Sequence, residues 1–263
     1  MKGYNTSEPY PFYRKMVSVT AIIQARMGST RFPGKSLLPI AGLPLLEHII
    51  IRLKQVPEIN HILLAIPEKD SELPLIDFAH RLQTPVFQGS EEDVLDRFIK
   101  AGESIQTEQV VRVCGDNPLL DISLLRSLIQ AHLSDKADFT IPRGTVPLGS
   151  ACEIIRFETL KKIGELAKSS MYREHVTTWF HNHPSSFRIK HVDAPKYLKG
   201  CNFRLTVDTE QDFQLMEQLF KNLPNSPDSP LNLRSAIEYL NAHPETVSLN
   251  IDIPQKNWRE ENS

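Results

Sequence analysis

Three cationic side chains, Arg26, Arg31 and Lys35, stand within ten residues of one another, interleaved with Gly28, Pro33 and Gly34. Guanidinium and ammonium groups this close can neutralise a polyanion, and glycine lets backbone amides approach it. The chemistry that suits such a loop is phosphate binding. Two aspartates complement it. Asp116 follows the apolar run Val110–Cys114 in the segment Gly115-Asp116-Asn117-Pro118, and Asp208 follows Arg204-Leu205-Thr206-Val207. A hard carboxylate at the carboxyl end of a core strand suits Mg²⁺, which takes one or two protein carboxylates and completes its shell with substrate phosphates and water. Alone, Asp116 reads equally well as a turn cap. The same strand–aspartate pattern at Asp208 breaks the tie. Thr209 and Asp212 have capping-box spacing, so Asp212 is read as structural. Asp208 is not needed for that box. Two strand-terminal aspartates and one cationic loop form a metal-plus-phosphate constellation, suited to transfer chemistry on a nucleoside triphosphate. Arg31 and Lys35 are expected to face solvent until phosphate arrives.

The elements that position these residues follow from periodicity. Val19–Ala25 reads as a buried strand that opens into the cationic loop. The loop is not a Walker P-loop. Gly34-Lys35-Ser36 fits that motif, but Ser29 occupies the position of its first glycine, and Pro39 comes too soon for a helix to start at once. Strands are predicted over 61–66, 85–88 and 110–114. Helices alternate with them: one with Pro44 in its first turn, one over 71–82, one over 91–105 opened by Ser90 and Asp93, and one from Asp121 to Leu133. This rhythm predicts a doubly wound, mostly parallel α/β sheet. After about residue 138 the rhythm changes. Strands over 137–141, 151–157 and 187–192, with helices over 158–168 and 172–182, suggest a small α+β insertion over 138–201. A strand over 204–207, a helix over 209–223 and a last helix over 231–241 follow. The expected organisation is an N-terminal arm (1–16), one domain (17–252) and a C-terminal tail (253–263).

Bulk properties exclude several classes. The 263 residues are 40 % hydrophobic and 24 % charged, with a formal net charge of -2. No basic field marks nucleic acid as a partner. No apolar run reaches membrane-spanning length, and Met1–Lys15 lacks the apolar stretch of a secretory signal. Cys114, Cys152 and Cys201 are scattered and odd in number, which points to free thiols in a reducing, cytoplasmic compartment.

Five ordered segments carry a family resemblance: Gln24-Ala25-Arg26…Arg31-Phe32-Pro33-Gly34-Lys35, Gln88-Gly89-Ser90-Glu91-Glu92-Asp93-Val94-Leu95-Asp96-Arg97-Phe98, Gly115-Asp116-x-Pro118-Leu119, Arg173-Glu174-His175-Val176-Thr177 and Arg204-Leu205-Thr206-Val207-Asp208-Thr209. Over about Val17 to Phe220 the chain resembles the cytidylyltransferases, the family of the CMP-Kdo and CMP-sialic acid synthetases. Its wording is nearest to the branch of spore-coat polysaccharide biosynthesis protein F. The resemblance implies a nucleotidyltransferase domain of glycosyltransferase-A-like type that moves CMP from CTP to a sugar or other small acceptor in cell-surface polysaccharide synthesis. It implies Mg²⁺ on Asp116 and Asp208, and triphosphate on Arg26, Arg31 and Lys35. It further implies backbone contacts to the nucleotide from Ala25 and Gly115, with Gly89, Ser90 and Asp93 beside the base or ribose. A homodimer contact would fall in the insertion. Cys114 departs from the CMP-Kdo synthetases, which carry glutamine there near cytosine, and the choice of base stays open.

On the acceptor side the candidates are Glu153, Arg173, Glu174 and His175. Glu153 suits sugar hydroxyls or an exposed strand face, and Glu174 suits a helix amino terminus. His175 suits the core or a ligand. Two other functions fit the same pattern less well. A nucleotide-sugar glycosyltransferase usually presents Asp-x-Asp, and here Asp116-Asn117-Pro118 and Asp208-Thr209-Glu210 do not match. A non-catalytic nucleotide-binding regulator would not need both aspartates and all three cations.

Overall fold

A computed structural model describes residues 17–255. The expected N-terminal arm (1–16), and the tail beyond residue 255, lie outside them. The elements, in chain order, are β1 (Val19–Gln24), β2 (Pro39–Ile40), β3 (Leu43–Pro44), α1 (Leu45–Lys54), β4 (His61–Pro67), α2 (Leu73–Arg81), β5 (Val86–Gly89), α3 (Val94–Ser104), β6 (Gln109–Cys114), α4 (Ile122–Asp135), β7 (Phe139–Arg143), β8 (Glu153–Arg156), α5 (Phe157–Leu166), α6 (Ser170–Glu174), α7 (Thr178–Asn182), β9 (Ile189–Asp193), α8 (Glu210–Asn222), α9 (Leu233–Ala242) and α10 (Pro244–Val247).

β1 is apolar on both faces because it lies mid-sheet, paired in parallel with β4 and β6. Seven strands form one sheet in the order β5-β4-β1-β6-β8-β7-β9. The β4–β5 and β7–β9 pairs are also parallel, whereas β8 runs antiparallel to both β6 and β7. The sheet is therefore mostly parallel and doubly wound. Ala21 and Ile23 of β1 pack with residues of α1, α2, α4, α8 and α9. Ile22 packs on the opposite face with residues of α3, α5 and α7. Residues 139–193 supply β7, β8 and β9, so this stretch extends the sheet itself. Among the described residues no helix is long and apolar enough to cross a membrane.

Three predicted elements differ. The segment 204–207 is not a sheet strand: it makes one isolated bridge, Leu148 to Arg204, and is otherwise irregular. All four of its residues are buried, Leu205 and Val207 in the apolar core, which gives the segment the look of a strand without strand partners. The helix expected over 172–182 is two short ones, α6 and α7, broken at His175–Thr177. α3 begins at Val94, later than expected. Asp93 is its cap, accepting from the Asp96 amide at 2.9 Å, while Ser90 Oγ accepts from the Asp93 amide and shapes the preceding turn.

Candidate active site

Lys35 is the centre of the site, and it is buried. Its Nζ donates to Asp208 Oδ1 at 2.8 Å, to Asp116 Oδ2 at 3.1 Å and to the Val207 carbonyl at 2.7 Å. The expectation of a solvent-facing lysine is thus corrected, since carboxylates from two distant segments enclose the ammonium. Arg31 is not free either. Its Nη2 lies 3.0 Å from Asp208 Oδ2. Burial works against the Lys35 charge, but Asp116 and Asp208 outweigh it and hold its pKa above the ordinary lysine value. Burial likewise opposes the Asp208 charge, and Lys35, Arg31 and Arg204 still hold that carboxyl below its ordinary range.

The loop owes its posture to local chemistry. Gly34 has φ 73°, the left-handed region that glycine enters without strain, and its amide donates to the Met27 carbonyl. The buried carboxylate of Glu72, just before α2, accepts the Met27 amide at 2.8 Å. Lys35–Leu37 forms a single 3₁₀ turn that leads into β2, with no helix, which supports the rejection of a Walker loop. At the end of β6, the Gly115 amide donates to the Gln24 carbonyl at 2.8 Å. A Cβ at Gly115 would stand 2.8 Å from that carbonyl oxygen and 2.9 Å from Ala25 Cβ, so only glycine lets the two strand ends close up.

Asp208 is aimed by its neighbours. Asp212, fully buried, completes the capping box of α8 with Thr209. It also accepts the Asp208 amide at 2.9 Å, Arg204 Nε at 2.8 Å and Asn250 Nδ2 at 2.8 Å. Arg204 Nη2 reaches on to Asp208 Oδ2 at 3.0 Å. The Val207 amide donates to the Asp116 carbonyl at 2.8 Å, which ties the two aspartate segments together. The cluster opens into a cavity of about 690 Å³ whose wall includes Ala25, Arg26, Arg31, Lys35, Asp116 and Asp208.

A cationic loop, paired aspartates and a polar cavity thus meet at the carboxyl ends of parallel strands. The cytidylyltransferase family model matches residues 20–249. The chain belongs to the cytidylyltransferase family. It is 34 % identical over 238 residues to spore coat polysaccharide biosynthesis protein SpsF of Bacillus subtilis, covering 89 % of this chain and 98 % of that one. A solved cytidylyltransferase of Leptospira borgpetersenii superposes with a TM-score of 0.82 at 25 % identity, covering 91 % of this chain and all of that one. A CMP:2-keto-3-deoxy-manno-octonic acid synthetase, solved with CTP, shares the fold with a TM-score of 0.60 at 18 % identity, covering 78 % and 98 %.

In this cytidylyltransferase the cavity wall also carries Cys114, Gly115, Glu174 and His175. Gly89, Ser90, Asp93, Glu153 and Arg173 do not line it. Asp93 and Arg173 are engaged with each other, Nη2 to Oδ2 at 2.5 Å and Nε to Oδ2 at 2.8 Å, so they clamp α6 to the start of α3. Glu153 pairs with Arg112 at 2.9 Å and accepts from Thr177 Oγ1 at 3.3 Å. Burial opposes its charge, but His181 and Arg112 hold its carboxyl below the ordinary range. Burial pushes the Cys114 thiol up to about 11, so it stays protonated near neutrality. Arg26 is half-exposed at the rim, 3.9 Å from Glu91.

Sequence reasoning passed over Glu72, Arg204 and the second duty of Asp212. Only the capping-box spacing pointed at Asp212, and nothing local pointed at its arginine. Asp212→Ala is expected to destabilise this cytidylyltransferase by about 3–5 kcal/mol, because it removes both carboxylate bonds that the buried Arg204 guanidinium makes to Asp212, together with the cap of α8. The carboxyl is held below its ordinary 3.8, with burial overcome by Arg204, the Asp208 amide and Asn250. Its contribution is therefore complete above pH 3.8 and is lost as pH falls through the lower folded value. Urea unfolding from pH 7 down to pH 2 checks this: the gap between wild type and Asp212→Ala should narrow on the acid side.

Proposed function

We propose that this enzyme transfers CMP from CTP to a sugar or other small acceptor, releasing pyrophosphate, in the synthesis of a cell-surface polysaccharide precursor. The observation that carries the reading is the Lys35 ammonium held between Asp116 and Asp208 at the wall of the cavity, in a chain of the cytidylyltransferase family. The name of the Bacillus subtilis relative supports a polysaccharide setting. An acceptor oxygen attacks the α-phosphorus, and the bond from that phosphorus to the β-phosphate oxygen breaks. Arg31 and Lys35 neutralise the triphosphate and the departing pyrophosphate, and Arg26 is placed at the rim to meet its outer phosphates. Backbone contacts from Ala25 and Gly115 position the nucleotide.

A divalent cation, Mg²⁺ in this reading, fits the donor set. The oxygens that Asp116 and Asp208 present to Lys35 are at most about 6 Å apart, and hard carboxylates suit that ion. Among the described residues no group of three or more side chains could cage a metal, so phosphate oxygens and water would complete the shell. When bound, the ion supplies further charge neutralisation on the phosphates. Glu174 and His175 face the acceptor. The reading extends to a cytoplasmic homodimer joined through residues 138–201.

The test is a thermal-shift series with CTP, UTP, ATP and GTP, each with Mg²⁺, followed by pyrophosphate release with a panel of sugar acceptors. CTP should raise the melting temperature most, since it binds only the native state. A rise with ATP or GTP and none with CTP overturns the cytidylyl assignment.

A further inference from the structure

Four buried side-chain polar atoms among the described residues make no hydrogen bond: Thr20 Oγ1, Gln24 Oε1, Arg97 Nε and Arg112 Nε. Three of these residues line the same cavity. The two arginines are engaged through other nitrogens, Arg97 with the Ser90 carbonyl and Arg112 with Glu153. Gln24 is different. Its side-chain carbonyl is the one acceptor of the three, and it is left without a donor. It is the last residue of β1 on the face it shares with Thr20 and Ile22, both fully buried. A buried amide oxygen without a partner costs free energy, and a ligand that donates to it recovers that cost.

We propose that Gln24 reads the base, its Oε1 accepting a hydrogen bond from the 4-amino group of cytosine. The inference rests on the cytidylyl reading. Phosphates held at Arg31 and Lys35 fix one end of the nucleotide just beyond β1. The base then runs back over the ends of β1 and β6, where Gln24 is the register partner of Cys114. Ala25 and Val94, also on the wall, give the ring apolar contact. The Cys114 thiol beside it is protonated and carries no charge to compete. Uracil places a carbonyl oxygen where cytosine has its amine, so oxygen would face oxygen. A site built around a hydrogen bond rejects the analogue that cannot make it.

The experiment measures dissociation constants of CTP and UTP by calorimetry, with Mg²⁺ and no acceptor, for wild type and Gln24→Met. Wild type should bind CTP at least about tenfold tighter than UTP. Gln24→Met should weaken CTP about tenfold and leave UTP nearly unchanged, so that the ratio approaches one. The melting temperature of free Gln24→Met should not fall, since an orphaned oxygen has been removed. A CTP preference that survives intact in Gln24→Met overturns the assignment and leaves the cytidylyl function standing. Equal weakening of both nucleotides overturns it too, by making Gln24 a support for the phosphate pose. Wild type that binds no CTP removes both this inference and the function beneath it.

Discussion

Asp116→Asn is expected to remove most activity at little cost to the fold, whereas Asp208→Asn should cost both. Each substitution keeps the side-chain size and deletes a charge beside Lys35 at the wall of the cavity. A loss of a hundredfold to a thousandfold in kcat is of the order seen when one preorganised electrostatic group is deleted. The fold responds differently because the two carboxylates keep different company. Asp208 meets Lys35, Arg31 and Arg204, and it is the more buried of the two; Asp116 meets Lys35 alone. Losing the Asp208 charge should therefore cost about 1–3 kcal/mol, the range for leaving buried charged donors underpaired, and losing the Asp116 charge less than about 1 kcal/mol. With the sequence alone, two carboxylates sharing a site suggest mutual repulsion that an Asn would relieve. The ammonium between them reverses that expectation. Pyrophosphate release and urea unfolding on both variants decide the matter. A melting temperature that rises in Asp208→Asn sinks the account.

Lys35→Met should have an equally large kinetic effect, about a thousandfold in kcat/KM, because it deletes the cation that both carboxylates hold and that the proposed function sets against the departing phosphates. Its structural cost, about 2–4 kcal/mol, should depend on pH. Lys35 has a raised pKa, so the stability it contributes is complete below the ordinary lysine value of 10.5 and is lost as pH rises through the higher folded value. At the acid end Asp208, whose carboxyl is held below its ordinary range, becomes protonated and needs no cation, so the variant's deficit should shrink there as well. Combining Lys35→Met with Asp208→Asn should cost clearly less than the two single losses added, since each removes the same ion pair. Additive losses in the double variant would show that the lysine and the aspartate do not act together.

How much of this was legible depended on how local the cause was. β1, its cationic loop and the Asp116 turn could be read because periodicity, glycine and charge all lie within one short stretch. The Thr209–Asp212 box could be read because a capping box spans four residues. The lysine clasp could not. It joins residue 35 to residues 116 and 208, and nothing near Lys35 in the chain shows that its ammonium will be enclosed. The same holds for Arg173, whose partner Asp93 lies 80 positions away, and for Arg112, whose partner Glu153 sits opposite it in the antiparallel β6–β8 register. The strand reading of 204–207 failed for a related reason. A short run of buried residues is common to a sheet strand and to an irregular segment that crosses the core, as 204–207 does, and only the presence of a neighbouring strand separates them. The site candidates at the loop and at the aspartates converge on one cavity. Those drawn from the Ser90–Asp93 turn and from Arg173 meet each other outside it.

The lysine clasp also bears on how a nucleotide arrives. Lys35, Arg31 and Arg204 are matched by Asp116, Asp208 and Asp212, so the cluster is neutral as a whole. Arg26 at the rim is shadowed by Glu91, and the whole chain carries a formal charge of -2. A highly charged triphosphate therefore meets no broad positive field to draw it in from a distance. Encounter is expected to proceed by ordinary diffusion and to vary little with ionic strength, in contrast to enzymes whose clefts steer their substrates. Attraction is felt only at contact, when the phosphates compete with the carboxylates for cations already spoken for.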